Sequence, residues 1–299
     1  MRIGITGATG FIASNLIPRL HAHGHTCVAY SRPVTAAKQR PGFQSGRPVP
    51  GCAETRAIGG DSLPDVSALD AIVNLAGESI QGYWTQAKKE RIRSSRINFT
   101  RALVAALPRS EVRVLVSGSA TGFYGQRGDE LLPESAPRGT GFLADVSAEW
   151  ENAAVAAEQH GVRVALLRTG FVIAPRGGAM DKIRPLFRFG LGGRLGSGKQ
   201  WMPWVHLDDV CGVIIHLLEN ENLHGAFNVV APHPVTNAAF TQTLAAALHR
   251  PAILPAPAFA LRLALGELSS LVLDSTRAVP ERTISSGYTF LHAELAQAL

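Results

Sequence analysis

Short apolar runs alternate with longer amphipathic segments over the first 175 residues. The clearest runs are residues 2–6 (RIGIT), 26–30 (TCVAY), 70–77 (DAIVNLAG), 112–119 (VRVLVSGS) and 162–170 (VRVALLRTG). Most of them are apolar throughout, with little alternation, which is typical of strands that are buried on both faces of a parallel sheet. The pattern therefore predicts a series of buried parallel strands.

Helical spacing of apolar residues fills the gaps between these runs. It predicts helices over residues 11–24, 85–108 and 147–161, the last two ended by Pro108 and Gly161. Strands that alternate with helices predict an α/β fold, a doubly wound parallel sheet with helices on both faces.

The pattern changes after about residue 175, to loops, short helices and proline-rich segments. We therefore expect a domain over residues 1–175, to which later elements return, and a smaller C-terminal lobe over residues 176–299. Residues 32–51 are rich in proline and glycine, and we expect little regular structure there.

Composition narrows the class of protein. The chain has 299 residues, of which 46% are apolar and 17% charged, which excludes a disordered chain. The longest apolar stretch, residues 251–273, is interrupted by three prolines, Arg262 and Glu267, so we expect neither a membrane span nor a membrane partner. The first residues read directly as a strand, and Cys27, Cys52 and Cys211 form no paired framework. These features predict a cytoplasmic protein with reduced thiols.

The net charge of +6 raises the question of a nucleic-acid partner. Basic residues are mostly scattered, and the densest cluster, residues 88–96, contains Glu90 and few aromatic neighbours. This pattern favours a solvated helix face over a nucleic-acid surface. His21, His23 and His25 alternate at a predicted helix end, where their rings would point apart, so we expect no metal site.

The turn after the first predicted strand carries the strongest chemical signal. Residues 6–13 (TGATGFIA) place Gly7, Gly10 and Ala13 between a strand and a helix. Glycine permits the tight turn and the approach of a pyrophosphate to the backbone, and a small residue lets helix and strand pack closely. This is the fingerprint of a Rossmann-type, dinucleotide-binding sheet, with the following residues against the cofactor: Thr6, Gly7, Thr9, Gly10, Phe11 and Ile12.

The end of the second strand indicates which dinucleotide binds. An NAD-preferring fold places an acid there for the ribose hydroxyls. This chain has no acid before Glu54 and has Ser31 and Arg32 at the expected place. A guanidinium matches the geometry of a phosphate, so we expect NADP(H), with Arg32 on the 2′-phosphate. A solvated loop arginine is the alternative.

Several segments together resemble those of a known family, the extended and atypical short-chain dehydrogenase/reductases, or NAD-dependent epimerase/dehydratase family. They are residues 6–13 (TGATGFIA), 74–77 (NLAG), 97–100 (INFT), 117–125 (SGSATGFYG) and 166–175 (LLRTGFVIAP). Residues 190–210 and 280–290 are similar to a subgroup of sugar-nucleotide epimerase-like proteins, so the resemblance covers nearly the whole chain. It implies further cofactor contacts by Leu75, Ala76, Gly77, Arg96, Asn98, Ser117, Gly118, Arg168, Gly170 and Val172. For Arg96 and Arg168, ion pairs within the protein remain alternatives.

The resemblance fails at the family's catalytic Tyr-x-x-x-Lys pair. None of the four tyrosines is followed by lysine at the fourth position, and Leu143 and Ser147 occupy the corresponding places. An acid/base must then come from elsewhere, and our candidates are Ser119, Tyr124 and Glu78. Their alternatives are a hydroxyl bonded to the backbone, a packed loop aromatic and an acid bound to backbone amides.

The C-terminal lobe is expected to cover the substrate. The glycine-rich residues 190–204 suit a mobile lid, in which Arg194 and Lys199 would bind an anionic group and Trp201 and Trp204 would stack on a base or sugar. Alternatively, they form a structural loop. Residues 177–190 predict an amphipathic helix over the site that carries Lys182 and Arg184, and Asp208 or Asp209 is expected to cap the next helix.

Together these features predict an NADP(H)-binding oxidoreductase or epimerase that transfers hydride to or from a small polar carbonyl or sugar-nucleotide-like substrate, polar or anionic in character. The missing Tyr-x-x-x-Lys leaves a second reading open, a non-catalytic NADP(H)-binding protein that senses redox state or acts as a scaffold. We expect no nucleic-acid partner, and an oligomer is compatible with the sequence.

Overall fold

The computed structural model describes residues 1–31, 49–57 and 63–299. Its strands are β1 (Arg2–Thr6), β2 (Thr26–Ser31), β3 (Glu54–Ala57), β4 (Ala71–Asn74), β5 (Val114–Ala120), β6 (Leu131–Leu132), β7 (Arg163–Thr169), β8 (Phe171–Ile173), β9 (Trp201–Met202), β10 (Trp204–His206), β11 (Gly225–Val229), β12 (Val235–Thr236) and β13 (Arg277–Ala278). Its helices are α1 (Phe11–Ala22), α2 (Gln86–Ala106), α3 (Phe142–Val155), α4 (Met180–Arg188), α5 (Leu207–Glu219), α6 (Asn237–Ala247), α7 (Ala258–Leu265), α8 (Ser270–Leu273), α9 (Glu281–Ser285) and α10 (Leu295–Ala298).

Seven strands form one parallel sheet in the order β3-β2-β1-β4-β5-β7-β11. The strand order reverses between β1 and β4, which is the switch point where doubly wound sheets bind their ligands. The Rossmann-type α/β fold predicted from the sequence is confirmed. β11 lies far along the chain, and it returns to pair with β7 at the edge of the sheet.

Apolar side chains of the strands alternate between two cores. On one face, α1 and α5 pack on the strands through residues such as Leu16, Leu20 and Ile214. On the other face, α2 and α3 pack through residues such as Leu103 and Ala154. Helices therefore cover both faces of the sheet, which explains why its strands are continuous apolar runs in the sequence.

The C-terminal lobe has a small core of its own. Met180, Phe187, Trp204, Phe240 and Leu244 are buried in it. α4 and α6 supply most of these side chains, and α10 adds Leu295 and Ala298 to the same core. The division of the chain at residue 175 stays a prediction, because α5 and β11 belong to the sheet layer.

Two predicted details are wrong. The helix expected over residues 147–161 begins earlier, because α3 spans Phe142–Val155 and continues as 3-10 turns to His160. The cap of α5 is His206, whose Nδ1 accepts the backbone N–H of Asp208 at 3.2 Å. Asp208 and Asp209 lie in the first turn of α5 instead, where negative charge also favours the helix.

Candidate functional site

The glycine turn between β1 and α1 is exposed at Thr9 and Gly10. Gly7 has a φ of +65°, and a Cβ there would lie 2.8 Å from the Leu75 carbonyl oxygen. Gly10 N donates to the Gly7 carbonyl at 2.7 Å, and no side chain caps α1. The exposed Thr9 and Gly10 lie at the start of α1, at the carboxyl end of β1. Backbone amides at a helix N-terminus bind anions well.

Thr6 fixes one wall of the gap at the carboxyl ends of β1 and β4. Its hydroxyl oxygen accepts the N–H groups of Leu75 and Ala76, both at 3.1 Å, and donates to Asn74 Oδ1 at 2.7 Å. Asn74 in turn donates to Thr100 and Ser117. This buried network connects β1, β4, β5 and α2, and it holds the turn after β4 against the glycine turn.

Arg96, Glu78 and Lys88 form a charged group beside that turn. Arg96 Nη1 donates to the Glu78 carbonyl at 3.0 Å, and the guanidinium lies 3.0 Å from where a Cβ of Gly77 would be. Burial lowers the pKa of Arg96 to about 10. Lys88 Nζ is 2.9 Å from Glu78 Oε1, and Glu78 is half-buried. A cation and a carboxylate therefore meet at the edge of the predicted cofactor gap.

The other predicted cofactor contacts lie in varied places. Asn98 is exposed on α2, two residues from Arg96, and Phe11 is half-buried against Gly177 and Gly178. Ser31 ends β2, and Arg32 lies outside the described residues. Three more are at the sheet's carboxyl edge or just inside it: Gly118, which packs on Trp150, Gly170, which packs on Pro203, and Val172 in β8.

Ser119 and Arg168 belong to a buried clamp, which we define as Ser119, Tyr124, Glu151, Arg168 and Asn228. Ser119 Oγ donates to Glu151 Oε1 at 2.6 Å. Arg168 binds both oxygens of Glu151 at 2.9 Å, through Nε and Nη2. The predicted alternative for Arg168, pairing with an acid, describes this geometry.

Tyr124 completes the clamp and is fully buried. Its hydroxyl donates to Asn228 Oδ1 at 2.7 Å and accepts from Arg168 Nη1 at 3.0 Å. Burial raises the pKa of Tyr124 above its ordinary value. This placement favours the packed aromatic over the acid/base, because both functions of the hydroxyl are already engaged inside the protein.

The positions of the absent Tyr-x-x-x-Lys pair hold no proton donor of the usual kind. Leu143 packs with its Cβ 3.1 Å from where a Cβ of Gly122 would be, and Ser147 is buried in α3. Of our three catalytic candidates, Glu78 is the one that stays half-exposed at the edge of the gap. Sequence reasoning missed its partner Lys88, whose position ten residues later indicates nothing without the fold.

The residues predicted to bind the substrate do not come together in one place. Trp204 is buried in the core of the lobe, and Trp201 Nε1 donates to Asp129 at 2.8 Å, which favours the structural alternative for this loop. Arg184 is buried and donates to the Pro175 carbonyl. Lys182 contacts Gln81, three residues after Glu78, so α4 touches the loop that follows β4.

One group of described residues has the composition of a metal site: His206, Asp208 and His292. Asp208 is already paired with Arg19, and its Oδ2 is 3.2 Å from His292 Nε2. His206 Nδ1 is occupied as the cap of α5. The group thus joins α1, α5 and the C-terminal segment through its own hydrogen bonds, and we assign it a structural role.

Comparison with known proteins agrees with this fold. The family model of the NAD dependent epimerase/dehydratase family matches residues 3–230, most of the chain. The chain belongs to this family. A second family model, described as a domain of unknown function, matches residues 256–299.

Members of the family match over nearly the full length. The chain is 38% identical to the epimerase family protein Mb2239 of Mycobacterium bovis, covering 99% of this chain and 96% of the relative. It is 31% identical to human epimerase family protein SDR39U1 (isoform 2), which was crystallised with NADPH; the TM-score is 0.86, and the match covers 100% of this chain and 97% of the human one. MoeE5, crystallised with UDP-glucuronic acid and NAD, is 21% identical with a TM-score of 0.77 over 100% and 96% of the two chains, a likeness of fold alone. Within the described ranges, every helix is too short or too polar to cross a bilayer.

Proposed function

We propose that this family member binds NADP(H) across the β1–β4 gap. The observation that carries the proposal is the uncapped N-terminus of α1 beside the open glycine turn, which offers backbone amides to a pyrophosphate. The tight turn of this fingerprint needs glycine at position 7, because a Cβ there would lie 2.8 Å from the Leu75 carbonyl oxygen. The human relative crystallised with NADPH supports the choice of dinucleotide.

We propose that Ser31 and Arg32 set the preference for NADP(H) over NAD(H). They stand where an NAD-preferring fold has an acid, and a guanidinium there can bind the 2′-phosphate of NADP(H). We expect Arg32→Ala to weaken NADPH binding by about 10- to 100-fold, the effect of losing charge-assisted hydrogen bonds, and to leave NADH binding unchanged. Arg40→Ala, in the same segment, is the control. Equal losses for both nucleotides would contradict the assignment.

The proposed reaction is hydride transfer on a small polar carbonyl or sugar-nucleotide-like substrate. Bound NADP(H) would supply or accept the hydride. Glu78 is the proposed acid/base, since it is half-exposed beside the gap and its Oε1 accepts a hydrogen bond from Lys88 Nζ. Glu78 would take the proton of a substrate hydroxyl when NADP⁺ accepts the hydride, and would return that proton to the carbonyl oxygen when NADPH donates the hydride.

A turnover assay tests the reaction. NADPH oxidation is followed with a panel of small polar aldehydes and ketones, and NADP⁺ reduction with a panel of UDP-sugars, whose hydroxyl carbons can donate hydride. On any substrate that reacts, Glu78→Gln is expected to lower kcat by about 10²- to 10⁴-fold. Glu267→Gln is the matched control, because Glu267 pairs with the neighbouring Lys89. A Glu78→Gln enzyme with wild-type kcat would exclude Glu78 as the acid/base.

The second candidate function is a non-catalytic NADP(H)-binding protein. It is favoured by one observation: Leu143 and Ser147 stand where the family's catalytic pair belongs, while Ser119 and Tyr124 are held in the buried clamp. NADPH binding without turnover on the whole panel, with an NADPH affinity that Glu78→Gln leaves unchanged, would favour this function. Failure to bind either dinucleotide would reject both candidates.

A further inference from the structure

The C-terminal lobe exposes a group of large apolar side chains on one side. Each is at least half exposed, and most are exposed far beyond that: Phe189, Leu191, Ile253, Leu254, Phe259 and Leu263. We call this group the apolar face. Single exposed apolar residues are ordinary on a protein surface, but contiguous ones mark a site of interaction.

Backbone hydrogen bonds make the face contiguous. The segments 186–196 and 250–258 lie side by side, since Leu254 N donates to the Gly192 carbonyl at 3.3 Å and Ala256 N to the Arg194 carbonyl at 2.9 Å. The side chain of Arg250 reaches the carbonyl of Arg188 at 3.2 Å. α7 follows directly at residue 258. The six side chains thus come from adjacent segments of one surface.

α7 itself buries no residue. Phe259 is 73% exposed and Leu263 is 86% exposed, and residues four apart lie on the same side of a helix. A helix of eight residues is marginal by itself and normally depends on packing of its apolar stripe. In α7 that stripe projects from the protein with no contact from the described residues to cover it.

The charge of the same two segments has one sign. Residues 186–196 and 250–265 contain four arginines and no acidic residue: Arg188, Arg194, Arg250 and Arg262. All four are exposed. Of the acids nearby, Glu267 is paired with Lys89, and Asp274 interacts with Arg262 alone among the four. A second copy of the chain would bring two arginine-bearing faces together, so the face favours a partner that is anionic as well as apolar.

We propose that the apolar face binds the surface of an anionic lipid bilayer. Projecting phenylalanine, leucine and isoleucine side chains would enter the acyl boundary, while the arginines meet lipid phosphates. A cavity of about 250 Å³, lined by Arg194, Thr241 and Gln242 among others, opens next to Ile253 and has room for a headgroup. An acidic amphipathic protein helix fits less well, because such helices enter grooves and these side chains protrude.

The inference does not depend on the proposed chemistry, and it departs from our expectation of no membrane partner. That expectation rested on the interrupted stretch at residues 251–273, which excludes a span and leaves surface binding open. α4 and the segment after α7 also contact the site's surroundings, through Lys182–Gln81 and Glu267–Lys89. A bound membrane would therefore lie close to the mouth of the cofactor gap.

Vesicle flotation with the full chain tests the proposal. The probes are vesicles of phosphatidylcholine alone and of phosphatidylcholine with phosphatidylglycerol. We expect binding to the anionic vesicles that weakens as salt rises, with little binding to the neutral ones. The double variant Phe259→Ser/Leu263→Ser is expected to lose at least tenfold in affinity, and Arg188→Gln/Arg262→Gln about fivefold per arginine.

Matched controls separate the face from general effects. Leu291→Ser removes a leucine that is 68% exposed elsewhere, and Arg113→Gln removes a distant exposed arginine. Both should bind vesicles like the wild type, and all variants should keep its melting temperature. Absence of vesicle binding, or losses in the controls equal to those in the face variants, would overturn the proposal. So would binding of an acidic amphipathic peptide by a chain that leaves vesicles unbound.

Discussion

Arg168 uses four of its five N–H donations inside the protein. Glu151 receives two of them, and Tyr124 and the Glu134 carbonyl receive one each. The ring of Phe123 covers the guanidinium at 3.6 Å. A buried charge is tolerable when it is fully paired and becomes costly as soon as one partner is lost.

The first prediction concerns this pairing. Glu151→Gln keeps the size of the side chain and removes its charge, leaving Arg168 uncompensated, so the free energy of unfolding should fall by about 3–5 kcal/mol. Urea denaturation measures it. Glu149→Gln, two residues away on α3, breaks the partly exposed pair with Arg93 and should cost less than about 1 kcal/mol. Equal losses would mean that burial of the pair is unimportant.

The second prediction separates the two roles of Tyr124. Tyr124→Phe leaves Asn228 and Arg168 each short of a partner, so the free energy of unfolding should fall by about 1–3 kcal/mol, with NADPH affinity unchanged. Tyr83→Phe, at an exposed tyrosine, should change neither. A variant that is as stable as wild type yet loses turnover would restore Tyr124 as an acid/base.

At the scale of elements, the turn between β1 and α1 gives the third prediction. Gly7→Ala combines a left-handed φ with a close approach to the Leu75 carbonyl, so it should lose NADPH binding and destabilise the fold by more than about 1 kcal/mol. Gly24→Ala is the control, because Gly24 has a φ of +77° with no atom within 4 Å of its added Cβ. It should cost about 1 kcal/mol and leave binding intact, as titration of each variant with NADPH will measure.

Local signals predicted the elements well, and their ends less well. β1 and the glycine turn follow from adjacent residues, and both lie where the sequence placed them. The start of α3 depends on distant contacts: Phe142 packs edge-to-face against Trp84, with ring centroids 5.3 Å apart. No periodicity within residues 142–155 contains that information.

The candidate site likewise contains residues that the sequence predicted and residues that it did not. Gly7, Gly10 and Thr6 were accessible to sequence reasoning because a strand, a turn and a helix share one short motif. The clamp was not, since Arg168 and Tyr124 are brought together by Glu151 and Asn228, which come from α3 and β11. The family resemblance suggested a cofactor contact for Arg168, and Tyr124 was a candidate acid/base; the fold engages the polar atoms of both inside the protein.

At the scale of the whole molecule, the cluster of His206, Asp208, His292 and Arg19 yields a pH prediction. Burial, and the neighbouring His292, lower the pKa of His206, against the opposing effect of Asp208 and Asp209. A lowered histidine pKa means that the folded state favours the neutral ring. The neutral His206 ring therefore contributes fully to the free energy of unfolding above about pH 6.5, the ordinary histidine pKa. That contribution is lost as the pH falls through the pKa of His206 in the folded state.

Urea denaturation between pH 5 and pH 8 would measure this dependence. His206→Asn keeps an acceptor for the Asp208 N–H and removes the titrating group, so its stability should fall less steeply on acidification. His224→Asn, at an exposed histidine beyond α5, is the control and should follow the wild type. A wild-type chain that becomes more stable as the pH falls from 7 to 5.5 would contradict the assignment.

The Glu134 and Asp209 carboxylates bind backbone groups that are synthesised much later than they are. The Glu134 carboxylate accepts the backbone N–H groups of Asn228, Arg282 and Thr283 at 3.0–3.3 Å, and Asp209 accepts those of Leu291 and His292. On the ribosome, these acceptors emerge long before their donors. Until residues 228–292 have been made, Glu134 and Asp209 can bind only water, so the C-terminal segments cannot yet close over the nascent sheet.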